Sequence, residues 1–432
     1  MTMLGGAALL ALVATTLLVV DRGGSGPAEV WRTPATDADV GRDADLALWL
    51  DGSVLTRVTP THVTGFDAAE GGRLWEADEP AETRAVCAAS EGTNDDGIGA
   101  VLYTFDGDDE ECRRLGVIDT RNGGSLLWST DLRDSTDDVD ESWWTGGDSA
   151  VTVTESTVSV SAVPFTGFDS FRRYDLATGD EAPALELPDT DCPGDAVPND
   201  LVGHDDARVV VVTSCEPWTD GESVASWTSV FDADSGELLW TREQPVTEPV
   251  LGVVSGEPLI LHEGLRSVSP TTGELLGGRL AAYSDTGEPL WRLDREDADS
   301  GGQRVVQALA DGVLVQETLT EEGDRRGEFA GYDLGSGERR WRTRVPESSE
   351  FLGVAGDTGQ ALLGAYAFDR DDGGRMTLTW LDLSDGATRE FGTVPFPLEG
   401  GDDPTALVAF DEDRLYFAGN VEREFQLRAY DR

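Results

Sequence analysis

The sequence predicts an all-β protein, an eight-bladed β-propeller of four-stranded blades, and three observations carry that prediction. The first is a recurring hairpin, clearest at Val230–Arg242 (VFDADSGELLWTR) and repeated at Gly65–Trp75, Val117–Trp128, Ala282–Trp291 and Gly331–Trp341. The second is its spacing. Trp31, Trp75, Trp128, Leu185, Trp240, Trp291, Trp341 and Phe391 mark eight units, separated by 44, 53, 57, 55, 51, 50 and 50 residues. A period near 50 belongs to propellers and repeat arrays. The third lies at the two ends. Gln426–Asp431 reads as a third strand with no fourth after it, while Glu29–Thr33 reads as a fourth strand with no first three before it. Joining them completes one unit and removes the exposed sheet edges of an open array.

Each hairpin has a local cause. An Asp accepts hydrogen bonds from backbone N–H groups two or three residues on, and a Gly supplies the positive φ of a bulged turn. Gly71, Gly124, Gly236, Gly287 and Gly337 each stand four residues before a Trp. Leu238, Leu239 and Trp240 then form a β-prone run. Weaker copies at Tyr174–Leu185 and Leu381–Phe391 keep the Asp and Gly and replace the Trp. In chain order, Leu46–Leu50 and Ser53–Thr56 precede the first full hairpin, and the acidic stretch Asp106–Glu111 falls between strands of the second unit. Ala150–Thr154 and Thr157–Ser161 alternate in Val with the period of a half-buried strand. Further strands are expected at Arg208–Thr213, Leu259–Leu261, Val313–Val315, Leu362–Leu363 and Leu415–Phe417. No unit carries an amphipathic helix, which is the composition of a propeller blade.

Charge excludes some partners. The chain has 432 residues, with 32 basic against 84 acidic and a net charge of −52, and every basic residue is Arg. So negative a field argues against nucleic acid and against anionic lipid at the globular part. Met3–Val20 is 18 residues without a charge, about the length that spans a bilayer as a helix. Residues 1–22 are therefore expected to be a signal anchor, 23–28 a linker and 29–432 the propeller. No A-x-A cleavage site follows. The expected location is the cell membrane, single-pass, with the propeller outside the cytoplasm. Secretion after cleavage is the alternative.

The Asp-x-x-[Ser/Thr]-Gly-x-x-x-Trp signature, as in Asp232–Trp240 and Asp333–Trp341, resembles the PQQ-like repeat of quinoprotein-type β-propellers. The resemblance covers nearly all of residues 29–432. It implies eight blades joined by docking tryptophans, here Trp31, Trp75, Trp128, Trp240, Trp291 and Trp341. The family divides into quinoprotein dehydrogenases and non-catalytic members, including BamB-like assembly lipoproteins. A dehydrogenase of this type implies a vicinal Cys-Cys pair at the cofactor, carboxylate and Asn ligands for Ca²⁺, and an Asp base. This chain has no Cys-Cys dipeptide and no Cys-x-x-Cys-His haem motif. The non-catalytic branch fits better, with no PQQ and no catalytic residues.

Other chemistry is sparse. His62, His204 and His262 share no metal-ligand spacing. Asp232-Ala-Asp234-Ser-Gly236 and Asp369-Arg-Asp371-Asp372-Gly373 are similar to oxygen-rich Ca²⁺ loops. The first coincides with the repeated turn, where the Asp already has a structural task, and no metal site is assigned to either. Four cysteines permit three pairings, and spacing favours the local ones, Cys87 with Cys112 and Cys192 with Cys215. The expected function is a membrane-tethered, extracytoplasmic scaffold that binds another envelope protein. Its binding face would present loops such as Asp106–Glu111 or the Trp143-Trp144 pair. A quinoprotein-like dehydrogenase or a small-ligand sensor using the central funnel is the alternative.

Overall fold

The computed structural model describes residues 27–33, 46–105, 112–132, 150–161, 171–183, 185–188, 196–204, 208–215, 226–244, 250–256, 258–263, 267–268, 275–276, 279–293, 303–306, 312–319, 325–346, 349–355, 358–369, 373–395, 407–411, 413–421 and 424–432. Among these residues the chain is all strand and turn. Seven antiparallel sheets have four strands, one has three, and a two-stranded ribbon stands apart.

In chain order, sheet 1 is Ala47–Asp51, Val54–Val58, Val63–Asp67 and Arg73–Glu76. Sheet 2 is Thr83–Ala89, Ile98–Phe105, Arg114–Asp119 and Ser125–Asp131. Sheet 3 is Ala150–Val153, Thr157–Ser161 and Phe171–Asp175, extended by a bridge from Tyr174 to Glu181. Sheet 4 is Ala196–His204, Arg208–Cys215, Ser226–Asp232 and Leu238–Gln244. Sheet 5 is Val250–Gly256, Leu259–Glu263, Arg279–Tyr283 and Pro289–Leu293. Sheet 6 is Gln303–Val306, Val313–Leu319, Arg325–Asp333 and Arg339–Arg344. Sheet 7 is Ser349–Ala355, Gln360–Asp369, Gly373–Asp382 and Thr388–Pro395.

Sheet 8 holds Leu407–Phe410, Arg414–Val421 and Glu424–Asp431, and its fourth strand is Glu29–Thr33. That strand lies antiparallel to Glu424–Asp431, with Trp31 opposite Ala429 and Thr33 opposite Leu427. In every other four-stranded sheet, neighbouring strands follow in chain order. The ribbon Ser267–Val268 with Leu275–Leu276 is an insertion between the second and third strands of sheet 5. No sequence signal used above anticipates it, because it carries neither the repeat Asp nor a Trp.

The turns form as their residues require. In the sheet 4 hairpin, Ser235 N–H donates to Asp232 Oδ1 at 2.7 Å and Gly236 N–H to the Asp232 carbonyl at 2.9 Å, with Gly236 at φ 72°. A bulge follows at once, where Val230 pairs with Trp240 and Phe231 with Leu238 and Leu239 is passed over. Asp67, Asp175, Asp333 and Asp382 cap their turns in the same way. In sheet 5, Ser284 replaces the Asp and its Oγ accepts from Glu288 N–H at 3.1 Å.

Donors to the carboxylate stabilise its charged form. Bonds from Arg340 and Ser336 hold Asp333 at about 2, below its ordinary 3.8. A depressed value stabilises the fold above the ordinary carboxylate pKa, and that contribution is lost as pH falls toward about 2. Carboxyl-carbon NMR should therefore place the Asp333 midpoint near 2, and a midpoint of about 4 would show that the turn does not hold the carboxylate.

The core lies between sheets, one hydrophobic cluster to each seam. Trp49, Val58 and Val63 of sheet 1 pack with Val101, Tyr103 and Ile118 of sheet 2. Corresponding clusters join sheets 2 and 3, 3 and 4, 4 and 5, 5 and 6, and 6 and 7. Sheet 8 shares one cluster with sheet 7, through Trp380 and Phe417, and another with sheet 1, through Leu55 and Tyr416.

Among the described residues there is one disulfide. Cys87 and Cys112 are joined across sheet 2 with Cα atoms 5.9 Å apart. The pairing Cys192–Cys215 lies outside the described side chains. Closing a 25-residue loop should contribute on the order of 3 kcal/mol by restricting the unfolded chain. Cys87→Ser with Cys112→Ser should lower the unfolding free energy by about that amount, measured by chemical denaturation, and an unchanged value would contradict the estimate. Among the described residues no helix is long and apolar enough to cross a membrane, and the Met3–Val20 anchor lies outside them.

Candidate functional site

The repeat residues converge on the seams. Trp341 shows the geometry most fully. It stands opposite Gly331 in sheet 6, and its indole N–H donates to the carbonyl of Leu383 in sheet 7 at 2.7 Å. Leu383 follows Asp382, so the turn capped by that Asp presents the carbonyl. A Cβ on Gly331 would lie 2.2 Å from the ring, and one on Gly386 would lie 2.8 Å away. Neither position has room for a side chain. Gly386, at φ 74°, also needs the left-handed region that glycine enters freely.

The same contact recurs around the molecule. Trp31 donates to Ala68 O at 3.1 Å, Trp128 to Leu176 O at 2.8 Å and Trp291 to Leu334 O at 2.6 Å. Gly71 faces Trp31, Gly124 faces Trp75, Gly287 faces Trp240 and Gly337 faces Trp291. Each of these glycines thus receives the tryptophan of the preceding sheet. The four-residue spacing joins a Gly and a Trp of one hairpin, but in space the two serve different seams. Gly236 receives no tryptophan. Its neighbours are the Arg173 guanidinium and Leu185.

Polar links reinforce the seams. Arg121 of sheet 2 grips Asp51 of sheet 1 with two hydrogen bonds of 2.6 Å, a fork geometry suited to carboxylate. Arg208 of sheet 4 meets Asp285 of sheet 5 at 3.1 Å. Below Trp240, Gln244 donates to the Tyr283 hydroxyl at 3.3 Å, and that hydroxyl donates to the fully buried Glu263. Arg279 closes the group at 3.1 Å from Glu263, and the Arg242 guanidinium lies over the Tyr283 ring. Burial first, and the Glu263 bond second, push the Tyr283 phenol above its ordinary value. These groups link sheets 4 and 5, with Gln244 and Arg242 of sheet 4 set against Tyr283 of sheet 5.

The remaining candidates scatter. His62 is half-exposed, 3.9 Å from Glu79. His262 stands in the second strand of sheet 5 and His204 ends the first strand of sheet 4. Asp234 accepts from Ser156 of sheet 3, and Asp232 is occupied by its own turn. Residues 370–372, Asp106–Glu111 and Trp143-Trp144 lie outside the described residues. Among those described, no three His, Cys, Asp or Glu side chains are grouped to hold a metal ion.

The comparisons with known proteins agree on the architecture. The family model described as "Outer membrane protein assembly factor BamB" matches residues 230–431. No curated protein matches the sequence. Quinohemoprotein alcohol dehydrogenase ADHIIG of Pseudomonas putida HK5 superposes at a TM-score of 0.52 with 14% identity, over 94% of this chain and 76% of that one. The quinohemoprotein alcohol dehydrogenase of Comamonas testosteroni gives 0.52 and 12% identity, over 95% and 78%. BamB of Moraxella catarrhalis gives 0.49 and 13%, over 94% and 100%. At such identities the two dehydrogenases share the fold alone. With a fold shared along nearly its whole length and the repeated Trp–Gly seams, the chain has the β-propeller fold, and its residues 230–431 match the BamB family model.

Proposed function

We propose that the sheets form an eight-bladed ring, tethered outside the cytoplasm by Met3–Val20, that works as a non-catalytic scaffold for another envelope protein. One observation carries the reading. The residues the repeats set in register, their Asp, Gly and Trp, are all engaged in turns and seams. What varies from blade to blade is the loops, and a rigid ring presenting variable loops is a binding surface. The family model's description as an assembly factor points the same way.

The rival reading is quinone chemistry, since two of the similar structures are quinohemoprotein dehydrogenases. The residues do not fit it. The cysteines stand singly at 87, 112, 192 and 215, and two of them are joined to each other within sheet 2. No adjacent pair is available to lie against a quinone.

Photo-crosslinking of the full-length protein in its native membranes separates the readings. A reproducible protein adduct from loops on one face, together with no alcohol-dependent dye reduction after incubation with PQQ and Ca²⁺, is the expected result. Dye reduction without any protein adduct would sink the scaffold.

A further inference from the structure

Each docking tryptophan has a small partner on the third strand of its own sheet. The pairs are Gly65 with Trp75, Val117 with Trp128, Val230 with Trp240, Ala282 with Trp291, Gly331 with Trp341 and Ala429 with Trp31. That small residue always stands two before the Asp or Ser that ends the third strand or follows it, Asp67, Asp119, Asp232, Ser284, Asp333 or Asp431. In the two sheets without a docking tryptophan the same third-strand position is large. It is Arg173 before Asp175 in sheet 3 and Trp380 before Asp382 in sheet 7. Both side chains are buried to within 1% of their surface.

Their contacts cross the seam. Arg173 donates from Nη2 to the carbonyl of Ala233 in sheet 4. Ala233 follows Asp232, as Leu383 follows Asp382, so the guanidinium occupies the place of the indole N–H. A Cβ on Gly236 would lie 2.3 Å from Arg173 Nη1 and 3.6 Å from Leu185. The carboxylates on either side of Ala233 are taken, Asp232 by Ser235 and Asp234 by Ser156. Four residues beyond Gly179, where other hairpins carry Trp, stands the exposed Pro183. The Pro183 carbonyl accepts from Arg173 Nη1 at 3.2 Å. In sheet 7, Trp380 packs on Phe410 of sheet 8, with ring centroids 5.7 Å apart, and Arg432 of sheet 8 covers it at 4.7 Å. Its indole N–H has no acceptor among the described residues. Sheet 8 offers no Asp-capped turn there, because the strands Glu424–Asp431 and Glu29–Thr33 are not consecutive in the chain.

We propose that in sheets 3 and 7 the docking side chain has moved from the fourth strand to the third, where Arg173 and Trp380 take the place of the missing tryptophan. The exchange keeps one bulky group per seam. In sheet 3 the two tasks of the indole are divided: Arg173 supplies the N–H donor, and Leu185 supplies apolar bulk against Val209 and Phe231.

The test moves the group back. Arg173→Val, Pro183→Trp and the double variant, made in the full chain, give sheet 3 the Val–Trp pairing of Val230 and Trp240. Arg173→Val alone should lower Tm, because it strands the Ala233 carbonyl and empties the seam. Pro183→Trp alone should also lower it, because indole and guanidinium compete for one place. The double variant should melt above Arg173→Val, and one melting at or below it overturns the proposal. Where Arg173→Val does not fold, a folded double variant supports the exchange and an unfolded one overturns it.

Discussion

Trp341→Ala should cost about 3–5 kcal/mol of stability, the usual range for emptying a buried tryptophan site. The indole is 7% exposed, lies between Gly331 and Gly386, and packs with Ala361, Leu363 and Leu381 of sheet 7. Both flanking glycines lack a side chain with which to fill the space, so collapse around the cavity is limited. The variant also leaves the Leu383 carbonyl without the indole donor that Trp341 supplies at 2.7 Å. Trp341→Phe separates the two contributions. It keeps much of the apolar volume and loses only the donor, so it should cost roughly 1–3 kcal/mol. Denaturant titration of both variants measures the difference. An alanine variant within ~1 kcal/mol of the parent would contradict a seam built on docked indoles.

The turns and their spacing are legible in sequence because their causes are local. An Asp caps N–H groups two and three residues on, and a Gly takes the positive φ, whatever surrounds them. Asp232 and Gly236, or Asp333 and Gly337, therefore announce their hairpins without reference to the rest of the chain. The Cys87–Cys112 bridge was accessible for a similar reason, since both ends lie in one sheet. What a Trp touches is not local. Gly386 receives Trp341 from 45 residues earlier, and nothing within one hairpin encodes that pairing.

Degenerate repeats hid the most. Leu185 and Phe391 are the landmarks that sequence spacing offers for sheets 3 and 7, yet four residues after Gly179 and Gly386 stand Pro183 and Glu390. In sheet 7 the bulge has moved as well, falling between Leu378 and Thr379, so that Phe391 is the residue passed over. The signal that could have found Arg173 is present in the sequence. It is a large residue two before the repeat Asp, where the tryptophan-bearing hairpins keep Gly, Val or Ala.

The central claim is that the ring closes through its first strand, and truncation tests it most directly. Glu29–Thr33 lies on Glu424–Asp431, Trp31 donates to Ala68 of sheet 1, and Arg428 meets Glu29 at 3.4 Å. Trp31 also packs on Tyr416, with ring centroids 6.0 Å apart. Removing residues 1–25 leaves all of these contacts in place. Removing residues 1–36 bares the edge of Glu424–Asp431 and takes an indole out of the seam between sheets 8 and 1, a loss of ~3–5 kcal/mol for the Trp alone. The measurement is the melting temperature of the two truncated proteins side by side. The longer truncation should melt well below the shorter one or aggregate before it melts, and equal melting temperatures would show that the ring does not close this way.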